Sequence, residues 1–395
     1  MKTTACALSR IEYIILMSVV VAVDALAIDA ILPALSFISN EFGVQDGNDR
    51  QFIVTSILMG YGFGVLVFGI ASDSFGRKRP VYVGFAIFLI GTLVTIFASS
   101  FSMLIVGRAL QGFGAAAPQI IPTAITRDLY KGRGMAQIMS LIMMVFMLVP
   151  AIAPLIGQGI LMLTNWQGVF TMFGVYALFA WAWFSIRLPE TLPAEKRVPF
   201  SFSQAWASIK EVLRNKQAVK FTIAEGLAFG AILAYLSMAQ QIFQEHFELG
   251  DRFALYFGSL ALVMMFASFV NSRLVEQIGM HKMVLRGAML LFFASCFYMV
   301  FIWLNDTSVP LWSFLIYASI SYFCLGILFG NMHSLAMEEV GHVAGAAASV
   351  IGSFSTLMSV IIAAFIGSFY NDSVTPIVLG FGILMIPIIY ITWKD

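Results

Sequence analysis

Four ionisable side chains stand deep inside long apolar stretches of this 395-residue chain: Asp24, Asp29, Arg108 and Glu225. A carboxylate held away from water binds a proton with an affinity set by its neighbours, and a fixed cation beside it stabilises the charged form. Reversible proton binding, ion pairing and capture of a cation are therefore the chemistry open to this set. Bond-making catalysis is not indicated. The chain has four dispersed histidines, no His-Glu-x-x-His or Gly-x-Gly-Asp arrangement, and no phosphate-binding Gly-x-x-x-x-Gly-Lys-Ser/Thr loop. Cys6, Cys296 and Cys324 are isolated, which removes metal-ligand spacing and a disulfide framework. No enzyme activity, metal or cofactor is expected, and ATP is not expected as the direct energy source.

The elements that position these charges follow from composition. With 60% hydrophobic and 11% charged residues, the chain has too little polar surface to coat a soluble globule. An all-α integral membrane protein is expected. Runs of the ~20 residues needed to cross a bilayer fall near 11–38, 51–72, 80–99, 102–124, 134–162, 167–187, 218–242, 252–275, 283–304, 311–335, 344–370 and 374–392. These are twelve spans. The first run contains Asp24, Asp29 and Pro33 and lacks a small-residue cleavage site, so it is expected to stay as the first helix. Of 22 lysines and arginines, all but Arg50, Arg108 and Arg252 lie on one side of this layout, which predicts both termini in the cytoplasm.

A polar stretch from Leu188 to Lys220, with Pro189, Pro193 and Pro199 and an amphipathic piece from Phe202 to Leu213, divides the spans six and six. The expected organisation is an N-terminal bundle over 1–188, a cytoplasmic linker over 189–217 and a C-terminal bundle over 218–395. Between the second and third spans the chain reads Gly69-x-x-x-Asp73-x-x-Gly76-Arg77-Lys78-Arg79, and after the eighth span Glu276-x-x-Gly279-x-x-Lys282 repeats it in part. Arg133-Gly134-Met135-Ala136 and Ala344-Gly345-Ala346-Ala347 likewise open the fifth and eleventh spans. Parallel halves of this kind predict a transporter with its site at the interface of two pseudo-symmetric bundles. Asp73 is expected to meet the amino end of the helix near Gly345, where exposed amides carry partial positive charge, so that the loop from Gly69 to Arg79 acts as a gate holding the cytoplasmic side shut in the outward-facing state.

Each buried charge has two readings. Asp24 and Asp29 lie ~140° apart around a helix, so they are not expected to face one cavity squarely. Pro33 cannot donate to the Asp29 carbonyl, so the backbone there is freed; Asp29 then borders a cavity or pairs structurally with another helix. Arg108, Gln111, Ala115 and Gln119 form one helical stripe, expected to face something wet. Arg108 either senses protonation of an aspartate or neutralises one to hold the bundle. Glu225, two turns into the seventh span, either carries a proton or cation or is solvated at the cytoplasmic mouth. Tyr61, Phe146, Phe229, Tyr235 and Tyr322 are candidates for an apolar pocket with Asp29, Gln111, Gln119 and Asn331, while His333, beside Asn331 near the end of the tenth span, either lines a vestibule or carries a proton.

The Gly69–Arg79 sequence resembles the signature loop of the major facilitator superfamily. Leu104-x-x-x-Arg108-x-x-Gln111-Gly112-x-Gly114-Ala115-Ala116 resembles that family's fourth-helix motif, in which the arginine is linked to proton coupling. Pro150, Pro154 and Gly157 match part of the fifth-helix antiporter motif, with Val149, Ala153 and Gln158 where glycines are usual. Asp29-Ala30-Ile31-Leu32-Pro33-Ala34-Leu35 is similar to the first-helix sequence of the bicyclomycin and chloramphenicol resistance branch of drug/proton antiporters, with Ala30-Ile31 in place of Met-Tyr. The resemblance implies a proton-coupled exporter of small amphipathic compounds in a bacterial inner membrane. The departures in the fifth span keep open a proton symporter importing a metabolite or osmolyte. The implied partners are protons, a small-molecule substrate and the lipid bilayer, without nucleic acid, for a monomer. Which of Asp24, Asp29 and Glu225 carries the proton stays open.

Overall fold

The computed structural model describes residues 8–44, 46–197, 202–305 and 309–393. Lys2, Cys6, Pro199 and Lys394 lie outside the described residues. The helices are α1 (Arg10–Asp29), α2 (Leu35–Glu41), α3 (Phe52–Phe75), α4 (Lys78–Ile96), α5 (Phe101–Leu129), α6 (Gly132–Leu163), α7 (Trp166–Arg187), α8 (Phe202–Arg214), α9 (Lys216–Gln240), α10 (Phe253–Ile278), α11 (Met280–Leu304), α12 (Leu311–Met337), α13 (Ala344–Gly367) and α14 (Thr375–Trp393). No strand occurs among the described residues.

Among the described residues, eleven helical stretches are long and apolar enough to cross a membrane, the first being α1 and α2 taken together. The twelfth expected span is α5, equally long at 29 residues but diluted by Arg108, Gln111, Gln119, Arg127 and Asp128. Its polar content is what singles it out for the site described below. Phe293, Phe297, Val300 and Trp303 of α11 are exposed, as a lipid-facing surface requires. The chain is a multi-pass membrane protein.

The tightest connections are fixed by side-chain caps. Ser100 accepts from the Met103 amide at 3.2 Å to start α5, and Asn165 accepts from the Gly168 amide at 3.1 Å to start α7. Each satisfies an amide that the first helical turn leaves without an internal partner. The amphipathic linker piece is helical, as α8.

Two compact units result. One comprises the chain up to Ile38 together with Ser56–Ala207; the other comprises Ser39–Thr55 and Ser208 onward. In the first, α1 packs on α5, α6 and α7, and α4 packs on α5 and α7. In the second, α9 packs on α12, α13 and α14, and α11 packs on α12 and α14. Counting spans from the start of each half, these are the same pairings, so the internal repeat read in the motifs extends to the packing. The turn glycines of the two loop copies agree as well, with φ of +88° at Gly76 and +85° at Gly279, a conformation that side chains with a Cβ rarely adopt. Within the second unit, Ser39–Thr55 is held by polar contacts. Arg50 pairs with Glu245 and donates to Gln240 Oε1 at 2.9 Å, and Gln51 donates to Gln241 Oε1 at 2.8 Å.

Candidate functional site

The first unit builds its polar centre where α1 breaks. Helix α1 ends at Asp29, a 3-10 turn covers Leu32–Ala34, and helical geometry resumes at Leu35. Pro33 has no amide hydrogen to give the Asp29 carbonyl, which accounts for the break. Helix α6 runs hard against it. A Cβ placed on Gly157 would lie 1.8 Å from the Ala30 carbonyl oxygen, so only glycine fits. Pro150 and Pro154 sit in the same helix and leave the carbonyls of Phe146 and Pro150 without their usual donors. The fifth-span motif residues thus shape the ground on which the broken α1 rests.

Arg108 enters from α5 with no exposed surface at all. Its Nη1 donates to the Ala27 carbonyl at 3.1 Å and to Gln111 Oε1 at 3.0 Å. Gln111 in turn donates to Thr92 Oγ1 of α4 at 2.9 Å, and Thr92 donates to the Phe88 carbonyl at 2.8 Å. The guanidinium carbon stands 5.7 Å from the centre of the Phe170 ring of α7, within cation–π range. Asp24 and Asp29 are 6% and 4% exposed. Asp24 lies within electrostatic reach of Arg108, Asp29 and Tyr61, and its Oδ1 is buried with no hydrogen-bond partner. A buried charge left half-satisfied costs several kcal/mol by general estimates, which marks Asp24 and Arg108 as a coupled pair rather than independent anchors.

The α5 stripe differs from its expected wet face. Arg108, Gln111 and Ala115 are fully enclosed, because α1 and α4 supply the partners that water was expected to supply. Gln119 alone on the stripe is part-exposed, and it accepts from the Tyr61 hydroxyl at 2.8 Å. Phe146 is part-exposed on α6.

The remaining candidates belong to the second unit. Glu225 is buried and its Oε1 stands 3.0 Å from His333 Nδ1, so the solvated alternative does not hold. Phe229 packs on Phe329 with ring centres 5.3 Å apart. Asn331 donates to the Ile327 carbonyl at 2.9 Å and to Asn271 Oδ1 at 2.8 Å, an inter-helix clip between α12 and α10. Tyr235, expected to line a pocket, is instead a core side chain, 1% exposed and packed on Tyr322 and Phe257. The α9–α12 packing closes over it.

The basic loop is a closed ionic assembly. Arg77 Nη1 donates to Asp73 at 2.7 Å and to Ser72 at 3.0 Å, and its Nε donates to Asp128 of α5 at 2.8 Å. Burial works against the Arg77 charge, but Asp128 and Asp73 more than offset it and hold the guanidinium protonated more firmly than usual. Glu190 of the linker accepts from the amides of Arg77 and Lys78 at 2.9 and 3.1 Å. Partial burial alone would raise its carboxyl, yet the amides of Leu192, Arg77, Lys78 and Thr191 together hold it below the usual carboxylate range. A Cβ on Gly76 would come within 2.6 Å of Glu190 Oε2, so the turn also makes room for this carboxylate. Lys78 donates to the Ser185 carbonyl at 3.0 Å, Gly69 supplies a carbonyl to Ser72 at 3.0 Å, and Arg79 is exposed. Sequence reasoning missed Thr92, Phe170, Asp128 and Glu190. Asp128 carried a usable signal, an acid set among Arg127, Lys131 and Arg133.

Comparison with known proteins agrees with this geometry. The model of the Major Facilitator Superfamily matches residues 17–364. The chain is 28% identical over 375 residues to a bicyclomycin resistance protein homolog of Haemophilus influenzae, covering 95% of this chain and 93% of that one. It is 25% identical over 368 residues to multidrug resistance protein D of Escherichia coli, covering 90% and 88%. The partially occluded inward-open structure of the xylose transporter XylE from E. coli has the same fold, with a TM-score of 0.73 at 13% identity over 97% of both chains. With a broken, charged first helix, a buried arginine on the fourth span and the ionic loop after the second, the chain belongs to the Major Facilitator Superfamily of membrane transporters.

Proposed function

We propose that this protein is a proton-driven exporter of small amphipathic compounds, working by alternating access as a monomer without a bound cofactor. The observation that carries this reading is the enclosed Asp24, Asp29 and Arg108 cluster at the break in α1. Each such charge costs ~2.5–3.5 kcal/mol to place mid-membrane on insertion scales. Packing alone would be served better by apolar side chains. Protonation of an aspartate removes its attraction for Arg108, which can then rely on the Ala27 carbonyl and Gln111. Loss of the proton restores the pair. Two protonation states with different partner geometry are what a conformational cycle needs, since a ligand shifts an equilibrium only through differential affinity for its states.

The relatives named for bicyclomycin and multidrug resistance support export of drug-like compounds. The charge distribution supports basic loops on the cytoplasmic face of a bacterial inner membrane. Each pH unit across that membrane supplies about 1.4 kcal/mol per proton, enough at one proton per molecule for a roughly tenfold gradient.

Inverted vesicles with an acidified lumen and a pH-sensitive dye test the proposal, with tetraphenylphosphonium, chloramphenicol and an acidic compound added in turn. Protein-dependent proton release on adding one of them, absent in Asp29→Asn, supports export. Silence to all three, with a metabolite accumulating alongside protons in right-side-out vesicles, assigns the protein to import instead, the alternative that Val149, Ala153 and Gln158 in place of the fifth-span glycines keep open.

A further inference from the structure

The contact between α9 and α12 in the second unit is an antiparallel ladder whose rungs change in character along its length. From the end bearing Lys216, Asn215 meets Glu339 at 2.8 Å and Gln217 meets Glu338 at 3.1 Å. Glu225 meets His333 at 3.0 Å, and then Phe229 packs at a tilt on Phe329 and Tyr235 edge-on against Tyr322, with ring centres 5.3 and 4.9 Å apart. The ionisable rung therefore stands between a polar end and an aromatic wall, ~14 Å along α9 at 1.5 Å per residue.

Two features of that rung are not those of a finished structural clip. The Glu225 side chain is 3% exposed while His333 is 41% exposed. The carboxylate also keeps its second oxygen, Oε2, buried with no hydrogen-bond partner. Nearby elements give it little help. Helices α13 and α14, which pack on α9, contain no Asp, Glu, Lys, Arg or His. From α11 the His281 ring packs edge-on against the Phe221 ring, one turn from Glu225, and Lys220 of α9 lies over the Phe221 ring. Beyond α12, Glu338 and Glu339 are engaged with Gln217 and Asn215, Arg273 of α10 lies over Phe269, and Glu245 is held by Arg50 at the other end of the unit. Among the described residues, His333 is the one ionisable group in hydrogen-bond contact with Glu225.

We propose that Glu225 and His333 form a second proton-binding site, built wholly within the second unit and independent of the Asp24, Asp29 and Arg108 cluster. With His333 neutral and its Nδ1–H donating to Glu225 Oε1, the buried pair carries one net negative charge. A proton from water adds to Nε2 on the half-exposed ring and makes a neutral ion pair, with the Nδ1–H···Oε1 bond kept throughout. Release reverses the step through the same nitrogen, so no further donor or acceptor is involved. Use of this second proton in transport rests on the export reading above; the binding itself does not.

The test is nitrogen NMR of the full-length protein in detergent micelles, with 15N-labelled histidine. Four histidines give few signals, and His333→Gln identifies the one of interest by its disappearance. At pH 6.5 the wild-type His333 ring is expected to be protonated on both nitrogens, the Glu225→Gln ring to be neutral, and the Glu225→Asp ring to return to the doubly protonated form. Asp29→Asn should leave the signal unchanged. A neutral wild-type ring at pH 6.5, or a Glu225→Gln ring as fully protonated as wild type, overturns the proposal. The spectrum is read without transport, so it fails separately from the vesicle experiment, whose silence would count against export alone.

Discussion

Arg108 Nη1 donates to the carbonyl of Ala27, 3.1 Å away and two residues before the end of α1. In an unbroken helix that carbonyl would accept the amide four residues on. Because α1 stops at Asp29, Ala27 is among the last residues of the helix, whose carbonyls lack internal donors, and a side chain from α5 takes up the role. The break, the arginine and the two aspartates are thus one device, since Arg108 takes a backbone acceptor at the carbonyl end of α1, where the helix stops at Asp29.

Replacing Arg108 separates its charge from its shape. Arg108→Ala leaves the Ala27 carbonyl, Gln111 Oε1 and the Asp24 carboxylate without their cation, and loss of one partner from a buried charge pair costs on the order of 3–5 kcal/mol. A clear fall in thermal stability in detergent is expected, together with loss of proton-driven transport. Arg108→Lys keeps the charge but offers one ammonium in place of a planar fork. It should recover most of the stability and little of the coupling. Equal recovery of both, followed by melting curves and vesicle transport, would mean that the cation only neutralises the bundle.

The approach of α6 to α1 gives a matched pair of substitutions two residues apart. Gly157→Ala puts a methyl group where the Ala30 carbonyl oxygen stands 1.8 Å away and its carbon 2.8 Å away, so backbone has to move. Overpacking of this kind costs ~1–3 kcal/mol, and the displaced segment is the one that carries Asp29. Gly159→Ala meets nothing within 4 Å. The first variant should melt lower and transport poorly, and the second should match wild type; parallel behaviour of the two would remove the close approach as the reason for Gly157.

In the ionic loop, Asp128 should matter more than Asp73. Both accept from Arg77, but the Asp128 side chain is 17% exposed and that of Asp73 39%, so water substitutes more readily at Asp73. Asp128→Asn is expected to slow turnover several-fold and Asp73→Asn less, each with substrate affinity unchanged. The check is turnover and half-saturation measured side by side. A loss of affinity equal to the loss of rate would mean that the loop does not act as a gate.

How much of this was legible in the sequence depends on whether a residue acts through its own type or through a neighbour. The spans, the repeat and the buried charges announce themselves, because a bilayer penalises any departure from apolar composition and Arg108 or Asp24 stands out against it. The turn at Gly76 was also readable, and its copy at Gly279 confirms it in backbone angle. Thr92 and Phe170 were not. A threonine or phenylalanine in an apolar helix is ordinary, and only the packing of α4 and α7 on their neighbours turns them into partners of Gln111 and Arg108. The aromatic residue Tyr235 failed for the opposite reason: its type suited a pocket, but the α9–α12 contact encloses it. Pairings between helices distant in sequence, such as Glu225 with His333, leave no local pattern to find.

Glu190 makes the stability of the loop depend on pH in a direction that can be worked out. Its carboxyl is held below the usual carboxylate range, because the amides of Leu192, Arg77, Lys78 and Thr191 outweigh the effect of partial burial. A group depressed in the folded state contributes stability that is present above its unfolded value, about 4.3 for a glutamate, and is lost as pH falls through the lower folded value. Wild type should therefore lose melting temperature as the pH drops below about 4.3 by more than Glu190→Gln does, and the two curves should run parallel above pH 6. Glutamine keeps an acceptor oxygen for one of the Arg77 and Lys78 amides but not the charge that favours the amino end of α4, so its curve should lie lower at neutral pH. Curves that coincide at every pH would show that the contact between the linker and the loop adds nothing to stability, and would leave Asp128 as the support of the Gly76 turn.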